Sequence, residues 1–263
     1  MCMISINKKR VKYMQTYRKL LRILGVSLIM LNTGCSNVAQ TKDQKVEQAF
    51  EKHLSIYPVK SLEDFYEMEG YRDKNFDKDD KGTWIVNASI ASQADDHAPL
   101  FSKRIVLYLN KNTKQGKGNV YFNTYTNDIK KDKREKFDVE LVNGQIVLTG
   151  KHTKEVEAFV KDFRFLVQDQ KISNLSEFEK IDSRHNSNAP LYSIDYKLPE
   201  NHSVSQWLKK HYDVELGNTV LTLKQTGELK GDSTGAFNIE IRKKKDNGAL
   251  NLFRESVNYS PSY

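Results

Sequence analysis

Cysteine is nearly absent from this 263-residue chain, which contains only Cys2 and Cys35. If residues 1–34 are removed as a leader, one thiol remains, at the new N-terminus. That chain cannot form an internal disulfide or a cysteine-based zinc site. Its stability has to come from a hydrophobic core, and the 13 tyrosines and 12 phenylalanines of the chain are numerous enough to form one. With five prolines and 10% aromatic residues, the composition also excludes a disordered chain.

Acidic residues are missing from positions 1–34, which hold seven of the 42 basic residues. The rest of the chain carries 35 lysines and arginines against 34 acids, so the formal charge of +8 belongs almost entirely to the leader. A nearly neutral domain has no general attraction for phosphate backbones, and we therefore expect no nucleic-acid partner.

The apolar run of the leader is short. Residues 23–31 form a stretch of nine residues, whereas a helix needs about 20 to cross a bilayer. Basic residues precede this stretch and the small residues Thr33 and Gly34 follow it, which is the order of a secretory signal. We predict a signal peptide over residues 1–34, with Met14 as an alternative start to Met1.

Cys35 follows Gly34 directly and resembles the cysteine of the lipobox in bacterial lipoproteins. We predict cleavage between Gly34 and Cys35, with S-diacylglycerol and N-acyl groups on Cys35. These lipids would anchor the protein to the extracytoplasmic face of the cell membrane. The third residue before the cysteine is Asn32, where the pattern usually has leucine. The alternative is an ordinary signal peptide in which Cys35 is incidental.

Two kinds of apolar spacing follow the predicted lipidated tether, residues 35–44. Helical spacing occurs at 46–57 and again at 156–167, and Ser61 is a predicted N-cap. Between and after these helices, apolar residues alternate as in half-buried strands. The pattern predicts a single α+β domain over residues 45–263, with an extended, mostly antiparallel sheet and helices packed on one face.

An internal duplication is a further prediction, with repeats at residues 45–150 and 154–260. Both segments place two helices before a set of strands, and short stretches echo each other, such as 106–109 and 220–223. Chance similarity within an α+β chain is the alternative explanation.

Residues 231–235 match the G-x-S-x-G pattern of esterases, with Ser233 as the nucleophile. That pattern needs a helix after the serine and a histidine further along the chain. Here a strand pattern follows, and the last histidine is His211. A flexible turn explains the glycines and the serine, so we predict no catalytic residue and no enzymatic activity.

Residues 77–82 resemble part of an EF-hand loop, but Lys81 and Ala88 stand where oxygen ligands are required. A solvated acidic loop is the preferred interpretation. Residues 95–97 form a second possible ligand cluster in a polar loop, and His53 is expected to be partly buried. We predict no metal site and no cofactor.

Two basic runs, residues 130–134 and 242–245, lie at predicted strand ends or turns. Solubility and protection of sheet edges explain them. The functional alternative is contact with anionic lipid headgroups or with a host surface.

Several stretches resemble the staphylococcal tandem lipoproteins: residues 54–64, 69–73, 76–84, 227–231 and 256–262. The resemblance implies a lipid-anchored cell-surface protein of a Gram-positive bacterium, with the lipid on Cys35. It also implies a role in host interaction, including immune recognition of the lipid and uptake into host cells. The family carries no enzymatic activity or cofactor, so no catalytic residue follows from it.

Two functions remain open from the sequence. The first is a binding or host-interaction module whose partners are the membrane, through the lipid, and a host-cell or bacterial surface protein. The second is a carrier of a lipid or small apolar ligand between sheet and helices. A continuous apolar cavity of several hundred Å³ would favour the carrier, and a filled core would favour the module.

Overall fold

The computed structural model describes residues 40–70, 72, 76–186, 188–212, 214, 217–229 and 236–262. The predicted signal peptide, its cleavage site, Cys35 and Ser233 lie outside the described residues. Helix α1 spans Lys42–Leu54 and buries Val46, Phe50 and Leu54, which recur at four-residue spacing. Because α1 begins at Lys42, the prediction of a tether reaching residue 44 is wrong by three residues.

A short 3₁₀ helix, Leu62–Tyr66, follows α1 and begins as the sequence predicts. The Ser61 hydroxyl accepts the Glu63 N–H at 3.2 Å, and the Asp64 carboxylate accepts the Ser61 N–H at 3.0 Å. This reciprocal cap satisfies N–H groups that the first helical turn leaves free. It fixes the direction in which Leu62 and Phe65 enter the core.

Five consecutive antiparallel strands make up the first part of the sheet. The turn between the last two contains Asn143 and Gly144, both with positive φ, as the asparagine–glycine pair predicts. The 3₁₀ helix Ile129–Lys131 precedes the fourth strand. The strands are β1 Thr83–Gln93, β2 Leu100–Asn110, β3 Gln115–Tyr125, β4 Lys133–Val142 and β5 Gln145–Thr149.

The prediction of one continuous helix over residues 156–167 is wrong. Helix α2 spans Lys154–Asp162, the chain is extended at Phe163 and Phe165, and helix α3 spans Leu166–Asp169. Phe163, Phe165, Leu166 and Val167 are all buried. So many neighbouring buried residues exceed the apolar stripe of one surface helix, and the chain bends to bury them all.

The second part of the sheet contains five further strands, again antiparallel. Its first strand, β6, was not predicted, because its polar sequence lacks apolar alternation. The elements are the 3₁₀ helix Leu175–Glu177, β6 Lys180–Asn186, β7 Leu191–Leu198, helix α4 Ser203–Tyr212, β8 Thr219–Thr226, β9 Phe237–Lys244 and β10 Leu250–Ser260.

The ten strands form one sheet in the order β5-β4-β3-β2-β1-β10-β9-β8-β7-β6. The first and last strands pair at its centre, where Val86 lies opposite Val257. Buried side chains project from one face and pack against the helices, among them Phe50, Phe65 and Phe253. The predicted α+β class, the antiparallel sheet and the single helical layer are therefore confirmed. Within the described residues, no helix is both long and apolar enough to cross a membrane.

The strand order bears on the predicted duplication. The series β4-β3-β2-β1 is followed across the sheet by β10-β9-β8-β7, in the same sense. A duplicated four-strand unit would produce this order, with β5 and β6 added at the edges. The duplication remains a prediction.

The carboxyl group of Glu255 in β10 is buried beneath the helices. Because it is buried, we expect the free energy of unfolding to depend on pH. Its oxygens accept the N–H groups of Leu166 at 2.6 Å and Val167 at 2.9 Å. Burial outweighs these bonds and raises the pKa of Glu255 from 4.5 to about 8. Between these values the native state holds a proton that the unfolded chain has lost, so stability falls as the pH rises.

We expect the free energy of urea unfolding to fall by a few kcal/mol between about pH 5 and pH 8, on the order of 1.4 kcal/mol per unit of pKa difference. Glu255→Gln should remove most of this decline, whatever its effect on stability at a single pH. Equal slopes for the two proteins would contradict the assignment to Glu255.

Candidate binding groove at the β5 edge

A groove of about 720 Å³ lies between the edge strand β5 and the helices α2 and α3. We call it the edge groove. Its floor is apolar and consists of Leu62, Ile146, Leu148, Val160 and Phe163. Alternation along β5 turns Ile146 and Leu148 toward the helices, opposite Leu141 and Val139 of β4. The floor is therefore an extension of the core that the sheet edge leaves partly uncovered.

The rim of the edge groove carries three exposed cations, Lys60, Lys161 and Arg164. None of the three has a carboxylate within 4.0 Å among the described residues. The acidic groups of the lining are Glu157 and Asp169, and Asp169 already accepts the indole N–H of Trp207 at 2.8 Å. The rim therefore offers unpaired positive charge next to an apolar floor.

The two edges of the sheet differ in chemistry. Edge strand β5, Gln145–Thr149, contains no charged residue and no proline. Edge strand β6 contains Lys180, Asp182 and Arg184, and its pairing with β7 is shifted at Lys180 and Asp182. Charges and irregular pairing are devices that keep an edge from joining another strand. The β6 edge has both, whereas β5 has neither.

The start of α1 is held against β6 by a polar cluster. The carboxylate of Asp43 contacts Lys180 Nζ at 3.2 Å, Ser183 Oγ at 3.1 Å and His185 Nε2 at 2.7 Å. The bond with His185 lowers the pKa of Asp43. Serine, histidine and aspartate meet here, but both Ser183 and His185 bond to the carboxylate rather than to each other. The imidazole therefore cannot take the serine proton, and the cluster attaches α1 to the sheet.

The acidic loop at residues 77–82 is a structural element and only partly the solvated loop that the sequence predicts. Asp77 and Asp79 are exposed, but Asp80 accepts bonds from Gly82 N, Asn112 Nδ2 and both N and Oγ of Ser262. Burial alone would raise the pKa of Asp80, but these bonds outweigh it and lower the pKa to about 2.

The ring of Tyr259 packs over the same loop. It stacks on Phe76 at 5.7 Å between centroids, contacts Trp84 at 5.0 Å, and donates a hydrogen bond to the Lys81 carbonyl. We call Asp80, Asn112, Tyr259 and Ser262 the C-terminal clasp. The clasp joins the stretches 76–84 and 256–262, two of those that carry the family resemblance.

The other residues that the sequence singled out, residues 95–97 and His53, make contacts that are typical of structural positions. Residues 95–97 form a turn in which Asp95 Oδ1 accepts the His97 N–H at 2.8 Å. His53 is partly buried, as expected; its ring stacks on Phe237 at 4.8 Å, and burial lowers its pKa to about 4. Within the described part of the chain, no group of three or more metal-ligating side chains comes together.

The prediction that the basic runs protect sheet edges is wrong, because neither lies on an edge strand. Arg242 belongs to β9, between β8 and β10, and Arg134 belongs to β4, between β3 and β5. Arg242 instead lies 3.4 Å from Asp195 on the open face of the sheet, and Arg184 approaches the same carboxylate at 2.8 Å. Arg242 thus compensates a nearly buried aspartate.

The edge groove was not predicted from the sequence. Lys60 and the neighbouring pair Lys161 and Arg164 come from two segments about 100 residues apart, and only the folded chain brings them to one edge of the sheet. One sequence feature could have indicated that β5 is unusual. This strand has no charged residue, although it lies between two strongly charged segments, residues 133–140 and 151–157.

The sheet, its single helical layer and the edge groove define an α+β protein whose open sheet ends at β5 and β6. The chain belongs to the Csa1 family, whose model matches residues 42–262. Among its relatives is a protein of Staphylococcus epidermidis named an uncharacterised lipoprotein, which is 35% identical over 242 residues, 90% of this chain and 94% of the relative. A Staphylococcus aureus protein named an uncharacterised lipoprotein is 36% identical over 247 residues, 91% of this chain and 96% of the relative. The resemblance to staphylococcal lipoproteins is confirmed.

The clasp gives a prediction with an internal control. A Cβ added at Gly82, where φ is +77°, would lie 2.5 Å from the Tyr259 ring and hydroxyl. Gly150 has a similar φ of +79°, but nothing lies within 4 Å of its added Cβ. Both alanine substitutions share the strain of a left-handed backbone, about 1–2 kcal/mol, and only Gly82→Ala also displaces Tyr259.

We expect Gly82→Ala to lower the free energy of unfolding by about 1–3 kcal/mol more than Gly150→Ala does. Urea unfolding monitored by tryptophan fluorescence measures the difference. Equal losses in the two variants would mean that the contact of Tyr259 with the loop contributes nothing to stability.

Proposed function

We propose that this protein is a lipid-anchored protein of the extracytoplasmic face of a bacterial membrane and acts there as a non-enzymatic binding module. The leader over residues 1–34, the cysteine after Gly34 and the lipoprotein names of the relatives support the anchor. The lipids would be carried on Cys35, as S-diacylglycerol and N-acyl groups. A host-cell or bacterial surface protein is the proposed partner.

The observation that carries the binding function is the edge groove, which combines an apolar floor with unpaired cations. Apolar area supplies affinity and charged rims supply orientation in protein recognition. The histidine in the lining, His152, contacts the Gly150 carbonyl at 2.9 Å. Among the residues that the structure describes, no serine, threonine or cysteine lines the groove. The lining therefore favours binding over nucleophilic chemistry.

The groove is also well placed for display. The chain enters the folded unit at α1, whose first turn is bonded to β6, and the edge groove lies at the other end of the sheet, on β5. With strands about 4.8 Å apart, the ten-stranded order separates these edges by on the order of 40 Å along the sheet. The edge groove therefore lies at the sheet edge that is remote from the first turn of α1.

The carrier hypothesis fits the interior less well. Aromatic side chains occupy the layer between sheet and helices, where a carrier would hold its ligand. Phe50, Phe65, Phe165, Phe253 and Tyr196 are each less than 2% exposed. The edge groove has a volume of several hundred Å³, but its lining includes three cations and two carboxylates, so it is not a continuous apolar cavity. The filled interior and the charged lining of the groove favour the module.

The anchor has a direct test in the full-length protein. We expect wild-type protein in the membrane fraction with an acylated Cys35 as its N-terminal residue, identified by mass spectrometry. Cys35→Ala should release the protein into the soluble fraction, while the control Cys2→Ala should leave it in the membrane. Membrane retention of Cys35→Ala would contradict the anchor.

The binding site is tested by reversing charge on its rim. We expect Lys60→Glu/Lys161→Glu to lose a surface-protein partner that detergent-solubilised wild type retains. The control Lys209→Glu/Lys224→Glu makes the same change in charge at exposed lysines on α4 and β8, outside the groove lining. Quantitative pull-down measures the difference, and equal capture by both double variants would exclude the groove as the binding site.

A further inference from the structure

We propose that the edge groove binds an extended acidic segment of a partner protein, which pairs with β5 through its backbone as an additional strand. This inference rests on the proposed function, because it specifies the partner chemistry that the same groove would accept.

The backbone of β5 is the first part of the argument. β5 stands at the end of the strand order and pairs with β4 from Gln145 to Thr149. The outer side of an end strand presents N–H and C=O groups that a further strand can bond. β5 is uncharged and lacks proline, and it pairs with β4 in unbroken register. These properties permit strand addition at β5, whereas the charges and shifted pairing of β6 oppose it.

The floor predicts which side chains the added strand needs. Alternate residues of a strand beside β5 would point toward the helices, over the partly exposed Ile146 and Leu148. An apolar side chain there would cover Ile146 and Leu148, at about 25 cal/mol for each Å² of apolar surface removed from water. The other floor residues, Leu62, Val160 and Phe163, are already buried. The central helix-facing position of the ligand should therefore be apolar.

The rim predicts the charge of the ligand. Lys60, Lys161 and Arg164 are exposed cations without a carboxylate partner among the described residues. Acidic side chains on the helix-facing side of the added strand, flanking its apolar residue, would approach this rim. Glu157 and Asp169 are the carboxylates of the lining that would oppose them, since Asp169 keeps its charge while it accepts the Trp207 N–H. The three cations outnumber these two carboxylates, so the lining as a whole favours an acidic ligand.

A second copy of the chain fits the site less well than an acidic segment. Its own β5 would supply apolar residues, but its rim would bring the same cations toward Lys60, Lys161 and Arg164. β5 has five residues, and pairing over so short a strand buries little compared with the roughly 1,200 Å² of a stable interface. Charge complementarity therefore favours an acidic partner.

The experiment uses intact protein and a labelled peptide of about seven residues. Glutamate, valine and glutamate occupy the helix-facing positions, and threonine occupies the others. Fluorescence anisotropy gives the Kd. We expect Lys60→Glu/Lys161→Glu to weaken binding by about tenfold or more, and Lys209→Glu/Lys224→Glu to leave it within about twofold.

Two N-methylated versions of the peptide test backbone pairing. Each carries methyl groups on one alternate set of amides. Only one set points toward β5 in a paired strand, so we expect one version to bind more than about tenfold more weakly and the other to bind normally. Equal affinity of the two versions would overturn strand addition, while leaving the groove as a binding site if the rim variant still loses affinity.

Four other results would also overturn the inference. A peptide with lysine in place of glutamate that binds as tightly would exclude recognition of acidic groups. Binding of inorganic polyphosphate with no binding of any peptide would indicate an anion site without strand pairing. Self-association in sedimentation that blocks the peptide, and that Val147→Lys abolishes, would assign the edge to a second copy. Insensitivity of peptide binding to Lys60→Glu/Lys161→Glu would refute the groove itself, and with it the site of the proposed function.

Discussion

The buried carboxyl group of Glu255 is the interaction on which the arrangement of sheet and helices depends. It projects from β10 at the centre of the sheet and accepts the first two N–H groups of α3, from Leu166 and Val167. The carbonyl of Val167 in turn accepts the Val59 N–H at 2.8 Å, which ties the segment after α1 to the same point. An unpaired buried carboxyl would be costly, and the two N–H bonds offset part of that cost.

The position of α3 decides the shape of the edge groove. The extended residues between α2 and α3 turn Phe163 into the floor and leave Arg164 on the rim. Asp169, at the end of α3, bonds Trp207 of α4 and so joins the last helix to the same layer. Glu255, in the middle of the sheet, therefore helps to fix the positions of Phe163 and Arg164 at the sheet edge, because it holds α3 in place.

The difference between the two sheet edges follows from the strand order. Because β1 and β10 pair at the centre, the outermost strands are β5 and β6, each in the middle of the sequence. One edge receives the start of α1 and its ion pairs, and the other keeps an uncharged strand beside a groove.

Local patterns predicted the elements whose causes are local. The strand pattern after residue 235 predicted β9, and the spacing of Val46 and Phe50 predicted α1. Ser61 and Asp64 predicted the cap of the first 3₁₀ helix. The misses have distant causes, since Glu255 lies 89 residues from Leu166 and Ser262 lies 182 residues from Asp80. No spacing within a segment records such contacts.

The edge groove could not be predicted from the sequence for the same reason, because its floor and rim are assembled from separate segments.

Hydrogen–deuterium exchange of the intact protein, with and without the acidic peptide, tests the role of the edge groove most directly. The account predicts that the alternate amides of Gln145–Thr149 that point away from β4 exchange rapidly in the free protein and become protected on binding, while those of β6 do not change. Protection confined to the open face of the sheet, with β5 exchanging as before, would contradict it.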